Sequence, residues 1–443
     1  MGIFQKKRRL TSFQVIAFGF FSMIFFGTIL LMLPLSSCDG MVTPVLDALF
    51  TSTSAVCVTG LVVYDTVSYW SGFGQLVILL LIQIGGMGVI TVAASLTMIS
   101  GRKISLMQRS TMQEAVSAPK VGGIVRLTSF IVKTTLTIEL LGAAIMAPVF
   151  CRDFGVKGLW MALFHSVSAF CNAGFDLMGT KNPFSSLSFY ASELGINLTI
   201  MALIVIGGIG FLTWDDFRTN RWHWHKYRMQ SKVILCTTMI LLIFPAIYFY
   251  FFEFTAMPLE ERILYSMFQS VTPRTAGFST VDIATIRETG QSIIILLMLI
   301  GGSPGSTAGG IKTTTIAVLF ATALSTFLRK EDTHFFGRRI GDDVVKNATT
   351  IGLLYIVLFF LGGLVISIAE GLPMITCLFE AASAVATTGL SMGITPGLGT
   401  LSKLILILLM FFGRVGGLTL FFVALSGRQR AKTKFPQEKM AVG

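Results

Sequence analysis

The sequence is poor in charge: of 443 residues only 13% are Asp, Glu, Lys or Arg, about half the share found in soluble globular domains. With 53% hydrophobic residues and a mean hydropathy of +0.77, this deficit excludes an ordinary water-soluble enzyme and equally excludes a disordered chain. Histidines number four, and the six cysteines (Cys38, Cys57, Cys151, Cys171, Cys236, Cys377) form neither a Cys-x-x-Cys pair nor a Cys/His cluster. Neither zinc nor a redox couple is therefore indicated, and no cofactor is expected in this chain. No carboxylate dyad or nucleophile–base pair stands out either, which sets an intramembrane enzyme aside. Abundant instead are glycine (44), phenylalanine (38) and methionine (21), which suit tightly packed, lipid-facing helices. At about 20 apolar residues per crossing, the length accommodates many spans. The expected class is an all-α, polytopic integral membrane protein.

A net charge of +12 would suit a nucleic-acid binder, but 24 of the 34 Lys and Arg fall in five stretches between apolar runs: 6–9, 102–126, 218–232, 329–346 and 428–439. The alternate loops hold eleven acids, among them Asp39, Asp65, Asp153, Asp176 and Glu193. By the positive-inside rule the basic stretches and both termini are cytoplasmic, in a multi-pass protein of the cell membrane. The partner this pattern points to is the lipid bilayer, not a nucleic acid. The first apolar run, 13–33, follows Lys-Lys-Arg-Arg as a signal peptide would. It exceeds the apolar core of about 7–15 residues of such a peptide and no small-residue cleavage site follows, so it reads as an uncleaved span.

One unit is written four times. Ser-Ala-Val-Cys-Val-Thr-Gly60, Ser-Ala-Phe-Cys-Asn-Ala-Gly174, Val-Thr-Pro-Arg-Thr-Ala-Gly277 and Ser-Ala-Val-Ala-Thr-Thr-Gly389 align on glycines 114, 103 and 112 positions apart. Before each lies an apolar stretch too short to span (45–55, 159–170, 263–271, 374–385), containing Phe50, Phe164, Phe268 or Phe379. Leading spans are expected at 13–33, 127–150, 233–252 and 348–369, and trailing spans at 73–99, 194–214, 291–328 and 401–425. The trailing spans share Ile84-Gly-Gly-Met-Gly, Ile206-Gly-Gly-Ile-Gly, Ile300-Gly-Gly-Ser-Pro-Gly and Phe412-Gly-Arg-Val-Gly-Gly, whose Gly-Gly pairs read as helix-contact surfaces. Span, pore helix and loop, span, repeated four times around a central pore, gives eight crossings and agrees with both termini on one side.

Non-helical backbone survives at membrane depth only where protein or water satisfies it. Four loops around one axis would converge their carbonyls there, with the negative ends of the short helices behind them. Carbonyls replacing a hydration shell make a cation filter. The candidate filter is each glycine with the two residues before it: Val58, Thr59 and Gly60; Asn172, Ala173 and Gly174; Thr275, Ala276 and Gly277; Thr387, Thr388 and Gly389. The ion that fits this reading is monovalent and potassium-sized.

The third trailing span breaks the pattern. Gly301, Gly302, Ser303, Pro304, Gly305, Ser306, Thr307, Ala308, Gly309 and Gly310 make a poor helix, since each interior glycine costs about 1 kcal/mol and proline about 3. A phosphate-binding loop is rejected because Lys312 stands one position late and no strand precedes. A gate below the filter fits better, a plain helix kink being the alternative. Charges at membrane depth cost about 2.5–3.5 kcal/mol on insertion scales. Arg414, aligned with Gly86 of the first repeat, is expected to reach the loop's carbonyls and raise a barrier to cations, or else to be a structural tie. Lys312 joins it in the candidate gate. Arg274 is expected to anchor its loop at the helix end, Asp47 and Glu380 to order the filter from behind, and His165 to be structural. Lys133 and Glu139 do not share a helix face well.

These loops, with Pro273-Arg274-Thr275-Ala276-Gly277-Phe278 and Gly413-Arg414-Val-Gly-Gly-Leu-Thr, resemble the Ktr/Trk/HKT superfamily, and within it the KtrB-type membrane subunits of bacterial Ktr potassium uptake systems. The resemblance runs from about residue 13 to 435. It implies a potassium-translocating subunit, often sodium-stimulated, that forms a homodimer under a cytoplasmic nucleotide-binding ring of the KtrA/KtrC type. Gly60, Gly174, Gly277 and Gly389 match the family's filter glycines, 301–312 its gating loop and Arg414 the arginine that closes on it. Sodium-selective plant relatives carry serine at the first of these glycines, so Gly60 favours potassium. The tail around Lys434-Phe435-Pro436-Gln437-Glu438 loosely resembles the segment that reaches the partner. Potassium is substrate and sodium an activator in this reading. The organisation expected is a cytoplasmic N-terminus 1–12, repeats at 13–99, 127–214, 232–328 and 348–426, and a cytoplasmic tail 427–443. The rival is a sodium or mixed-cation secondary transporter with alternating access, whose folds show inverted or two-fold repeats instead.

Overall fold

The computed structural model describes residues 11–100, 104–116, 118, 120–180 and 182–416. Residues 1–10 of the expected N-terminal segment, the end of the fourth repeat from 417 and the tail 427–443 lie outside the described residues. The chain opens with α1 (Ser12–Met32), begun by a capping box in which Thr11 N–H donates to Gln14 Oε1 at 3.0 Å and Gln14 N–H to Thr11 Oγ1 at 3.3 Å. Then come α2 (Val45–Val56), α3 (Thr66–Tyr69), α4 (Gly72–Met87) and α5 (Val89–Ile99). A connecting α6 (Leu106–Val116) leads to α7 (Ile124–Phe154), α8 (Lys157–Phe170), α9 (Leu194–Gly208) and α10 (Phe211–Asn220). Next are α11 (Met229–Tyr248), prolonged by a π turn at Phe249–Glu253, then α12 (Leu259–Val271), α13 (Glu288–Leu299) and α14 (Thr313–Phe327). After a small hairpin of β1 (His334–Phe335) and β2 (Arg338–Arg339) follow α15 (Asp342–Glu370), α16 (Met374–Ala386) and α17 (Thr400–Val415).

Among the described residues four helices are long and apolar enough to cross a membrane: Ser12–Met32, Ile124–Phe154, Met229–Glu253 and Asp342–Glu370. Only 28% of the apolar window of each is buried, so most of that surface faces outward, which suits lipid and not water. The short helices are the opposite. Proline fixes the backbone directly ahead of α2, α12 and α16 (Pro44, Pro258, Pro373). Their phenylalanines Phe50, Phe268 and Phe379, with Phe164 of α8, are wholly buried.

The first two trailing runs depart from the continuous spans expected of them. The chain bends by 94° between α4 and α5 and again by 94° between α9 and α10. The hinges are Gly88 (φ 87°) and Gly210 (φ 90°), the last glycine of each Gly-Gly-x-Gly, in backbone that a Cβ disfavours. The loop 301–312 separates α13 from α14, and α17 stops at Gly416, where φ is again 90°. By length and composition the described helices give four crossings, or six with each bent pair taken as one. The leading glycines of the motif act as contact surfaces. A Cβ on Gly85, Gly207 or Gly413 would fall on the carbonyl oxygen of Val56, Phe170 or Val385, four residues before an apex glycine.

Candidate functional site

Each short helix runs out into an apex with two left-handed residues. These are Val58 (φ 57°) and Gly60 (φ 90°), Asn172 (φ 59°) and Gly174 (φ 69°), Thr275 (φ 67°) and Gly277 (φ 78°), and Thr387 (φ 53°) and Gly389 (φ 93°). The residue between them, Thr59, Ala173, Ala276 or Thr388, has no positive φ, and alternation of this kind turns successive carbonyls to one side. A left-handed valine or threonine costs of order 1–3 kcal/mol, and such strain collects where function over-determines the backbone. Here it stands at the same position of all four apices.

The apices meet. A Cβ built on Gly60 would fall on the Ala173 carbonyl oxygen, one on Gly174 against that of Ala276, one on Gly277 on that of Thr388, and one on Gly389 on that of Thr59. These contacts close a ring in chain order. All four glycines line one cavity of about 800 Å³, with the acids Asp65, Asp176 and Asp282 among its other lining residues. The hydroxyls of Thr59, Thr387 and Thr388 are buried and have no hydrogen-bond partner among the described residues. That of Thr275 accepts from Asn172 Nδ2 at 3.3 Å.

The short helices hold the apices through one recurrent contact. Thr59, Ala173 and Thr388 N–H donate to the carbonyls of Ser54, Ser168 and Ser383 at 2.8, 2.7 and 2.8 Å. The Ser54 and Ser383 hydroxyls accept from Gly60 and Gly389 N–H at 3.0 and 2.9 Å, and that of Ser168 donates to Phe175 O at 2.7 Å. In the third unit Ala276 N–H donates to Thr272 O at 3.0 Å. Sequence reasoning gave these serines no role; their signal is recurrence six residues before the glycine.

Asp47 and Glu380 also sit behind the apices. Asp47 accepts from Tyr64 Oη at 2.8 Å and pairs with Lys403 Nζ at 2.9 Å, joining α2 to α17. Glu380 accepts from Ser391 Oγ, Met392 N–H and Thr395 Oγ1 at 2.6, 3.0 and 2.8 Å. His165, wholly buried, has Nδ1 2.7 Å from Met161 O and accepts from Leu177 N–H at 3.2 Å. Arg274 is buried and offers its carbonyl to Asn172 Nδ2 at 3.4 Å. Glu139 takes Gln83 Nε2 at 3.0 Å and the Cys171 thiol at 3.8 Å, away from exposed Lys133.

The loop between α13 and α14 completes what the broken helices leave open. Gly301 N–H donates to Ile311 O at 2.9 Å and Thr313 N–H to Gly302 O at 3.0 Å, while Ser303 Oγ lies 3.1 Å from Thr313 Oγ1 and Ser306 Oγ donates to Ser303 O at 2.7 Å. Ser303 and Thr307 N–H donate to Gly208 and Gly207 O at 2.9 and 3.3 Å, and Phe211 N–H, opening α10, donates to Gly305 O at 2.7 Å. Groups orphaned by the bend at Gly210, near the Pro304 carbonyl, are thereby satisfied.

Toward the apices, Thr307 Oγ1 lies 3.1 Å from Phe170 O and 3.2 Å from Asn172 Oδ1. Gly309 abuts Thr387, and Gly310 abuts Ala386 O. Lys312 Nζ folds back on the carbonyls of Ala308 and Gly309 at 2.6 and 3.3 Å. Arg414 Nη1 donates to Thr307 O, and Nη2 to the carbonyls of Gly85 and, at 3.1 Å, Gly86. Asn172, unremarked beyond its place in the motif, joins the second apex to this loop by a side-chain hydrogen bond with Thr307.

Apolar outward-facing helices around four inward-turned loops define a helical membrane protein with an axial site. The chain belongs to the TrkH family of cation transport proteins, whose model matches residues 5–430; the family is one of transporters, not enzymes. It is 39% identical to the potassium/sodium uptake protein NtpJ of Enterococcus hirae, across 99% of this chain and 98% of that one. It is 37% identical to the Ktr system potassium uptake protein B of Bacillus subtilis, across 98% and 97%. The crystal structure of the potassium transporter TrkH from Vibrio parahaemolyticus shares the fold, with a TM-score of 0.74 over 95% of this chain and 86% of that one at 19% identity.

Proposed function

We propose that this chain is the potassium-translocating subunit of a Ktr-type uptake system. The observation that carries the reading is the closed ring in which each apex glycine rests on the carbonyl before the next. The carbonyls of 58–60, 172–174, 275–277 and 387–389 replace the water of a potassium ion. The ion moves inward with the membrane potential, gaining about 2.3 kcal/mol per charge per 100 mV. Residues 301–312 form a gate beneath the filter, with Arg414 on Thr307 setting a positive charge beside the path. Each trailing segment, bent or looped, counts as one crossing, giving eight in all with both termini cytoplasmic. The chain works as a homodimer under a KtrA/KtrC-type ring that acts on the gate from below, and sodium stimulates it.

Uptake in cells lacking their own potassium systems, with and without a cytoplasmic partner, tests this. Potassium uptake that outcompetes sodium is expected; equal uptake of both ions overturns the reading. Asp176 supplies a pH signature. It lies partly exposed in the loop after α8 and lines the cavity outside the apices. Its carboxyl is pushed up to about 6, chiefly by desolvation, with Asp65 adding and the Met178 N–H opposing. A carboxylate attracts cations above its pKa and loses that charge as external pH falls through it. Apparent potassium affinity is expected to fall severalfold between pH 7 and pH 5, and Asp176→Asn to flatten the profile in initial-rate uptake.

A further inference from the structure

Lys133 stands well inside α7 with no acid paired to it among the described residues, and it leads to a site that ion translocation leaves unused. Arg126, Ser129, Phe130 and Lys133 fall at the i, i+3, i+4, i+7 spacing that places them on one helix face, and that face lines a cavity of about 920 Å³. Arg109 of α6 and Arg218, in the last turn of α10, line it from the other sides. Among the described residues four cations line this hollow and no carboxylate does; the acid Asp215, in the wall of the adjoining hollow, is taken by Arg228 at 2.9 Å. Among the described residues none of the four forms an ion pair. The Arg218 guanidinium lies over the Phe130 ring at 4.4 Å, an arrangement that occupies its face and leaves its N–H edge for a phosphate.

Four like charges lining one hollow call for an anion. The apolar part of the lining, and the neighbouring turns of α7 where Leu136 and Leu140 are exposed, call for one that carries hydrocarbon. We propose that the cavity binds the phosphate headgroup of an anionic phospholipid between Arg109, Arg126 and Arg218, its acyl chains running along α7 past Lys133. The site is joined to the loop 301–312. The helix that carries Arg218 begins at Phe211, whose N–H donates to Gly305 O at 2.7 Å, and a Cβ on Gly305 would fall on the carbonyl oxygen of Val116, which ends the helix carrying Arg109. Two walls of the cavity therefore end on one loop residue. A bound headgroup fixes α6 and α10 against α7 and holds the loop in one position; this second half rests on the gate reading.

The test uses the full-length protein in detergent, with native mass spectrometry against phosphatidylglycerol, cardiolipin, phosphatidylcholine and inorganic phosphate. Preferential retention of the two anionic lipids is expected, about tenfold weaker in the triple variant Arg126→Gln, Lys133→Gln, Arg218→Gln. Equal retention by both proteins overturns the site. The single variant Arg126→Gln serves if the triple variant is not recovered, and should shift in the same direction. Displacement of the lipid by millimolar inorganic phosphate overturns the lipid assignment in favour of a soluble anion. In proteoliposomes, flux through the wild type should change severalfold with anionic lipid content, and flux through a 303–308 deletion should not. A deletion whose flux still follows lipid content overturns the coupling. A deletion without raised basal flux overturns the gate reading and leaves the binding result intact.

Discussion

Gly60→Ser is expected to lower the preference for potassium over sodium by about tenfold, the equivalent of roughly 1.4 kcal/mol. Two features of the first apex set that size. A serine Cβ would fall on the Ala173 carbonyl oxygen, which is backbone and cannot swing aside as a side chain would. The φ of 90° at Gly60 is also one that serine adopts only under strain. The apex must therefore back away from its neighbour, and the ring opens on one side. A larger, less evenly dressed ring loses its advantage for the ion it fitted, while the smaller and more tightly hydrated sodium ion loses less. Competition uptake of the two ions measures this. An unchanged preference at normal membrane levels would detach Gly60 from selectivity.

Deleting residues 303–308 is expected to raise basal flux in the absence of a cytoplasmic partner by about tenfold or more. The deletion removes Thr307, and with it the contacts to Phe170 and Asn172 and the carbonyl held by Arg414. It also removes the groups that Gly207, Gly208 and Phe211 bond across the bend, so membrane levels must be measured beside flux. Loss of flux at normal levels would mean that the loop supports the path and does not block it. Arg414→Ala should act in the same direction and more weakly, because the loop keeps its own bonds. A fall in flux there would make the arginine a tie between α17 and the glycines of α4.

The apices were legible because a glycine nine or ten residues after a phenylalanine, behind a short apolar stretch, recurs four times, and recurrence survives where any one glycine is ambiguous. Arg414 was legible as a costly charge that needs carbonyls, and Thr307 supplies one. Its second set, on Gly85 and Gly86, was not legible, since no local pattern links positions so far apart in the chain. The bends at Gly88 and Gly210 were missed for a different reason. A glycine inside an apolar run is tolerated by a helix at modest cost, and the Gly-Gly-x-Gly motif does two jobs. Its leading glycine packs on a short helix and its last one turns the chain. Asn172 was hidden by the alignment itself, which draws the eye to what the four apices share. The amide that differs, where the others carry Val58, Thr275 and Thr387, reaches the loop.

The ring closes in chain order, so its final joint lies between the last apex and the first, where Gly389 meets Thr59, Lys403 meets Asp47 and Arg414 meets Gly85. Gly60 and Gly389 stand 329 positions apart in the sequence, so translation supplies one edge well before the other. A copy that lacked the fourth apex would keep only the contacts of Gly60 with Ala173 and of Gly174 with Ala276, and its circle would stand open at one quarter.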